Sequence, residues 1–287
     1  MVTQPKEYLR GYSALLKLIR ANNLLILFLT QLFVRLFLIG PKKIVDTDIH
    51  FGLISLSSIL IAASGYIIND YYDVKIDIIN KPKRVVIDRL LKRRTALFIH
   101  LTLVILSVLL GFLVGWKIAL INAIAAFLLW LYSNSLKRLP LIGNITVSLL
   151  TAFSVYILAI YYRDENNFIL IFSVFSFYLS LIREIIKDIE DLRGDASFGC
   201  KTLPIIWGVR KTKLFLYSQF AILTFLLFVL GSNLNYLVLI YFIAFVFLPL
   251  LWMFYKLYKA DTIREYKFLS ACCKYVMISG VISMVFI

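Results

Sequence analysis

The chain has 287 residues, of which 61% are hydrophobic and 16% charged, with a mean hydropathy of +0.88; a soluble domain is nearer half apolar and a quarter charged. No water-soluble fold hides that much apolar surface, so the solvent is lipid. The net charge of +15 has no soluble basic domain to carry it, which argues against a nucleic-acid partner and for Lys and Arg gathered in cytoplasmic loops.

From the N-terminus, Met1 to Arg20 is polar and basic, and the first apolar run lacks a small-residue cleavage site, so it reads as a retained span. With about 20 apolar residues per span, the predicted spans are 21–40, 51–70, 95–115, 117–134, 142–162, 168–186, 213–231, 234–256 and 267–286. The third and fourth are parted only by the turn at Gly115-Trp116-Lys117, and the seventh and eighth by Gly231 to Asn235. Links that short imply antiparallel neighbours. The expected fold is an all-α membrane protein, a bundle of about nine transmembrane helices forming one domain over residues 1–287. Alternating the spans from a cytoplasmic N-terminus places most of the 31 basic residues on the inner side. The two long polar loops, 71–94 and 187–212, fall inside with them. Cys200, Cys272 and Cys273 lack zinc spacing and read as free thiols. His50 and His100 stand alone on different spans and carry no functional assignment.

Two acidic clusters follow the second and sixth spans. Asn69, Asp73 and Asp77 recur every four residues, so a helix continued through them places three oxygen donors on one face. Glu184, Asp188, Asp191 and Asp195 likewise read as one helical stripe, with Gly194 loosening its last turn. Like charges stacked on one helix face repel, so a solvated surface helix gains little from either arrangement. Cations flank both clusters: Lys75, Lys81, Lys83 and Arg84 at the first, Lys187, Arg193 and Lys201 at the second. Carboxylates beside cations suit Mg²⁺ held together with a phosphorylated substrate, because Mg²⁺ is commonly bound by one or two carboxylates plus phosphate oxygens.

These residues resemble the UbiA superfamily of intramembrane prenyltransferases. Its Asn-Asp-x-x-Asp-x-x-x-Asp motif stands here as Asn69-Asp70-Tyr71-Tyr72-Asp73-Val74-Lys75-Ile76-Asp77. Its second aspartate motif stands as Lys187-Asp188-Ile189-Glu190-Asp191-Leu192-Arg193-Gly194-Asp195, followed by Gly199-Cys200-Lys201-Thr202-Leu203-Pro204. Tyr132 and Lys137 resemble the family's Tyr and Lys after the fourth span, and Arg20 with Asn23 its Arg and Asn at the start of the first. Within the superfamily, Asn69 to Arg84 and Arg183 to Asp191 are most similar to the geranylgeranylglyceryl phosphate geranylgeranyltransferases. After Arg84, where those relatives continue Pro-Ile-Pro-Ser-Gly, this chain has Val85-Val86-Ile87-Asp88-Arg89.

The resemblance implies a Mg²⁺-dependent transferase moving a prenyl group, geranylgeranyl in that subgroup, from its diphosphate to a lipid acceptor, geranylgeranylglyceryl phosphate. Asp73, Asp77, Asp188, Asp191 and Asp195 are the expected metal ligands, all but Asp188 also counted as catalytic. Asn69, Arg84, Lys137, Lys187, Arg20, Tyr132 and Asn23 are the expected substrate contacts, with Tyr71 and Tyr72 close by. An aromatic acceptor, as in quinone synthesis, is the alternative within the class. A divalent-cation transporter is the distant one, disfavoured because the acidic groups sit at span ends and only Pro249 of the six prolines lies inside a span. The expected location is the plasma membrane, with the active site facing the cytoplasm.

Overall fold

The computed structural model describes residues 15–40, 47–82, 85–231 and 236–287. Helix α1 is Ala21–Phe33, continued by a π-helical stretch, Val34–Ile39. Then come α2 (Thr47–Asn80), α3 (Arg93–Val114), α4 (Trp116–Asn134), α5 (Ile142–Tyr162) and α6 (Asn167–Glu190). Two short helices follow, α7 (Leu192–Ser197) and α8 (Leu203–Ile206). The chain ends with α9 (Gly208–Gly231), α10 (Tyr236–Phe242), α11 (Leu248–Lys259) and α12 (Ile263–Ser283). Among the described residues no strand occurs, and nine helical segments are long and apolar enough to cross a membrane. The all-α membrane architecture expected from composition is therefore the observed one.

The segment boundaries have local causes. The eighth span, Val238–Lys259, comprises α10 and α11 joined by a π-helical turn, Ile243–Phe247, immediately before Pro249. A proline ring clashes with the carbonyl four residues earlier and offers no N–H, and the widened turn absorbs both defects. The last span starts at Ile263, earlier than its hydropathy suggests. Thr262 caps the helix, its Oγ1 accepting from the Glu265 amide while Glu265 Oε2 accepts from the Thr262 amide at 2.9 Å.

The described residues fall into two compact units, one within Met1–Phe28 and Val45–Leu136, the other within Leu29–Ile44 and Lys137–Ile287. In the first, α2, α3 and α4 pack on one another. Small and polar residues permit this, as is usual where lipid supplies no hydrophobic drive between helices. A Cβ on Gly65 would stand 2.8 Å from Leu129 Cδ1, so the bare glycine lets α4 close on α2. Ser107 donates to the Ser57 carbonyl at 2.9 Å, and Asn122 donates to the Ser107 carbonyl at 3.1 Å, tying the three helices in series. Phe98, Phe112 and Leu113 of α3 are more than half exposed, a surface suited only to lipid.

In the second unit α6 is central. Ile182, Ile185 and Ile186 are fully buried in a cluster with Leu216 and Phe220 of α9 and Leu269 of α12. Gln31 donates to the Ser154 carbonyl at 2.7 Å, and Asn166 to the Leu38 carbonyl at 2.9 Å, fastening the end of the first span within this unit.

Candidate functional site

Each unit carries one acidic motif. In the first, α2 has 34 residues, about 51 Å of helix, whereas a bilayer's hydrocarbon core is about 30 Å thick. The C-terminal part of this long helix carries the motif. It continues unbroken to Asn80, so Asn69, Asp73 and Asp77 recur once per turn on one face, each half-buried.

The neighbouring faces of α2 are held by cations. An Arg20 guanidinium nitrogen lies 2.8 Å from Asp70 Oδ1, and the group stacks 4.6 Å from the Tyr66 ring centre. Asn23 donates to the Tyr66 hydroxyl at 3.2 Å. Arg20 has φ of +54°, a left-handed conformation that costs a residue bearing a Cβ about 1–2 kcal/mol, so the fold holds this residue in place against strain. On the other flank, Arg93 stacks 4.7 Å from the Tyr71 ring and donates to the Tyr71 carbonyl at 3.0 Å. The segment departing from the relatives' pattern is structural: Val86 and Ile87 are buried in an apolar cluster with Leu18, Ile67, Val74 and Ala96. Tyr132 is half-buried near the end of α4 in this unit. Arg84, expected to contact substrate, lies outside the described residues.

The second unit departs from the single stripe that the spacing suggests. Helix α6 ends at Glu190, and Asp191, with φ −94° and ψ 4°, sits in the bridge region between α6 and α7. The expected loosening at Gly194 is a correction: Gly194 is buried inside α7, and the break falls three residues earlier. The Asp191 amide still donates to Lys187 and the Asp195 amide to Asp191, at 2.8 and 3.2 Å. The chain thus bends without unwinding, and Asp195 belongs to a second short helix rather than to the α6 stripe. The bridge region is sparsely populated and common among active-site residues.

Upstream, Glu184 is buried and its two oxygens are taken by Arg183 at 2.6 Å and Lys187 at 2.8 Å. Lys187, expected at the substrate, is thus anchored to Glu184 in this unit. Asp188 accepts a 2.8 Å hydrogen bond from the buried Asn144 side chain of α5. Lys137 lies in a single 3₁₀ turn, Leu136–Arg138, and the Lys201 amide donates to the Arg138 carbonyl at 2.8 Å. That bond joins the Lys137 turn to the loop following the second motif.

Asn144 and Arg93 were not singled out by sequence reasoning, and Arg183 entered it only as the start of the Arg183 to Asp191 stretch, with no role of its own. The one signal for Asn144 is an amide in the first turn of an otherwise apolar span; the two arginines look like any basic loop or span-end residue.

Among the described residues no three His, Cys, Asp or Glu side chains gather closely enough to hold a metal by themselves. The donors present still suit Mg²⁺, because they are all oxygen and because this ion is usually shared between one or two carboxylates and substrate phosphates.

The chain matches the model of the UbiA prenyltransferase family over residues 27–272, a stretch that runs through both units. The digeranylgeranylglyceryl phosphate synthase of Methanosphaera stadtmanae is 36% identical over 197 residues, 68% of this chain and 70% of that protein. The enzyme of the same name from Sulfurisphaera tokodaii is 33% identical over 233 residues, 78% and 82% of the two chains. A solved structure concerning digeranylgeranylglyceryl phosphate synthase in membranes aligns with a TM-score of 0.68 and 24% identity, over 97% of this chain and all of that one. A UbiA homolog from Archaeoglobus fulgidus bound to GPP and Mg²⁺ aligns with a TM-score of 0.69 and 17% identity, over 96% of this chain and all of that one.

Proposed function

Because the chain belongs to the UbiA prenyltransferase family, and is on that ground a multi-pass membrane prenyltransferase, we propose that it transfers geranylgeranyl from its diphosphate to geranylgeranylglyceryl phosphate. The observation that carries the reading is the face of one continuous helix, α2, that presents Asn69, Asp73 and Asp77. It is supported by the shared name of relatives 33% and 36% identical to this chain.

In this reading both motifs are needed for transfer, and residues 1–287 act as a single domain. Asp73 and Asp77 from α2, and Asp188, Asp191 and Asp195 around the bend, hold Mg²⁺. When bound, Mg²⁺ neutralises the diphosphate and stabilises charge growing on the leaving oxygen. Asn69 orients the first set. Lys137, Lys187 and Arg84 take phosphate oxygens, the lysines as point charges and the arginine by a two-pronged grip. The bonds of Arg20 and Asn23 to Asp70 and Tyr66 support a further role in keeping the motif helix in register.

The bond between prenyl C1 and the diphosphate oxygen breaks with its electrons passing to the diphosphate. The faces of Tyr71, Tyr72 and Tyr132 offer the allylic cation electron density. The acceptor hydroxyl oxygen then bonds to C1 and gives up its proton, leaving the ether and free pyrophosphate. We assign the N-terminus and both motifs to the cytoplasmic side of the membrane, on the strength of the Lys and Arg distribution, and take that membrane to be the plasma membrane.

The test is transfer of label from geranylgeranyl diphosphate, with Mg²⁺, in parallel to geranylgeranylglyceryl phosphate, 4-hydroxybenzoate and dihydroxynaphthoate. Label entering only the phosphate lipid is the expected result. Label entering an aromatic acceptor instead would overturn the assignment of the acceptor while leaving prenyl transfer in place.

A further inference from the structure

We propose that Asn144 is the positioning residue of the second motif: its side-chain amide sets the Asp188 carboxylate in the orientation from which it binds a divalent cation. The inference rests on the proposed ligand role of Asp188 and adds to it a residue that neither acidic motif contains.

Asn144 stands in the first turn of α5, next after Gly143, and is only 8% exposed. A buried amide in an apolar span needs a partner. Its Nδ2 donates to Asp188 Oδ2 at 2.8 Å, across the interface between α5 and α6 and 44 residues away in sequence. Its backbone carbonyl is used as well, accepting from Ser148 Oγ at 2.7 Å, so both ends of the residue are fixed to helix. Asp188 lies three residues before the bend at Asp191, where α6 gives way to α7. A carboxylate at the end of a helix next to a bend has several rotamers open to it, and a bond from a neighbouring helix selects one.

This is how partners beyond the metal's own ligands act. They hold a ligating side chain in one pose, and their loss typically costs about 10- to 100-fold in metal affinity or activity. At the first motif the donors share one unbroken helix, and its neighbouring residues Asp70, Tyr66 and Tyr71 are bonded to Arg20, Asn23 and Arg93.

The experiment is Mn²⁺ binding to the full chain in detergent, followed by electron paramagnetic resonance with inorganic pyrophosphate present. Asn144→Ala should raise the Mn²⁺ dissociation constant by about 10- to 100-fold. The Mg²⁺ concentration for half-maximal transfer should rise in parallel, while kcat at saturating Mg²⁺ stays near the parent value. A second variant exchanges the pair, Asn144→Asp with Asp188→Asn. It restores the interhelical hydrogen bond with the carboxylate on the wrong helix, so it should recover the melting temperature but not the Mn²⁺ affinity.

Asn144→Ala that melts earlier yet binds Mn²⁺ like the parent would overturn the proposal, the bond then being packing alone. Recovery of Mn²⁺ affinity by the exchanged pair would overturn it too. Asp188→Ala separates the two levels. Unchanged Mn²⁺ binding in that variant removes the ligand role of Asp188 and Asn144's role with it. Lost binding in Asp188→Ala beside intact binding in Asn144→Ala removes only the present proposal.

Discussion

The two acidic motifs present similar donors by opposite means. In the first unit the register of one continuous helix, α2, does the work, and cations clasp its neighbouring faces at Asp70 and Tyr71. In the second unit α6 ends at Glu190 and the chain turns at Asp191, with Asn144 from α5 bonded to Asp188 and with Arg183 and Lys187 paired to Glu184. The bonds at the first motif include those of Arg20 to Asp70 and of Arg93 to Tyr71, and at the second those on Asp188 and Glu184.

The largest effect should come from removing one donor at each motif. Asp73→Ala and Asp191→Ala are each expected to lower kcat/KM for prenyl transfer by at least about 100-fold, read from transfer of labelled substrate. If only one of them does so, the two motifs are not equivalent partners in the chemistry.

Next is Glu184→Ala, which removes the carboxylate shared by Arg183 and Lys187, whose side chains are 16% and 22% exposed. Leaving buried charge uncompensated costs several kcal/mol, and the partial exposure here reduces that to about 2–3 kcal/mol; thermal unfolding in detergent measures it. Asp70→Asn is the matching change in the first unit. It keeps the shape and one hydrogen bond for Arg20, and should cost about 1 kcal/mol with Mn²⁺ affinity unchanged. Equal losses from the two changes would mean that the ion pairs beside the two motifs contribute alike. The smallest effect is expected from Arg93→Gln, which removes the stacking on Tyr71 at a site 45% exposed, for about 0.5–1 kcal/mol.

Much of the architecture was legible because hydropathy reports directly on the solvent: the spans expected at 95–115, 117–134 and 142–162 are the helices Arg93–Val114, Trp116–Asn134 and Ile142–Tyr162. The first motif was legible for a related reason, its spacing of four matching the helix repeat. The second was only half legible. Asp188, Asp191 and Asp195 also fit a helical stripe, and nothing in a local pattern reveals that residue 191 leaves helical geometry, since the bend is set by packing. Asn144 lies 44 residues from its partner, and such a pairing has no local sequence signature. The π-helical turn before Pro249 belongs to the same category in milder form, the proline being visible while the way the helix yields to it is not.

The central proposal is that both motifs are needed for ionisation of the prenyl diphosphate. Its most direct test is the rate of pyrophosphate release from geranylgeranyl diphosphate in Mg²⁺, with geranylgeranylglyceryl phosphate present, for the parent chain, Asp73→Ala and Asp191→Ala. The account predicts Mg²⁺-dependent release by the parent and its loss in each single variant. Release at the parent rate by either variant would contradict it, because one motif would then suffice to ionise the substrate.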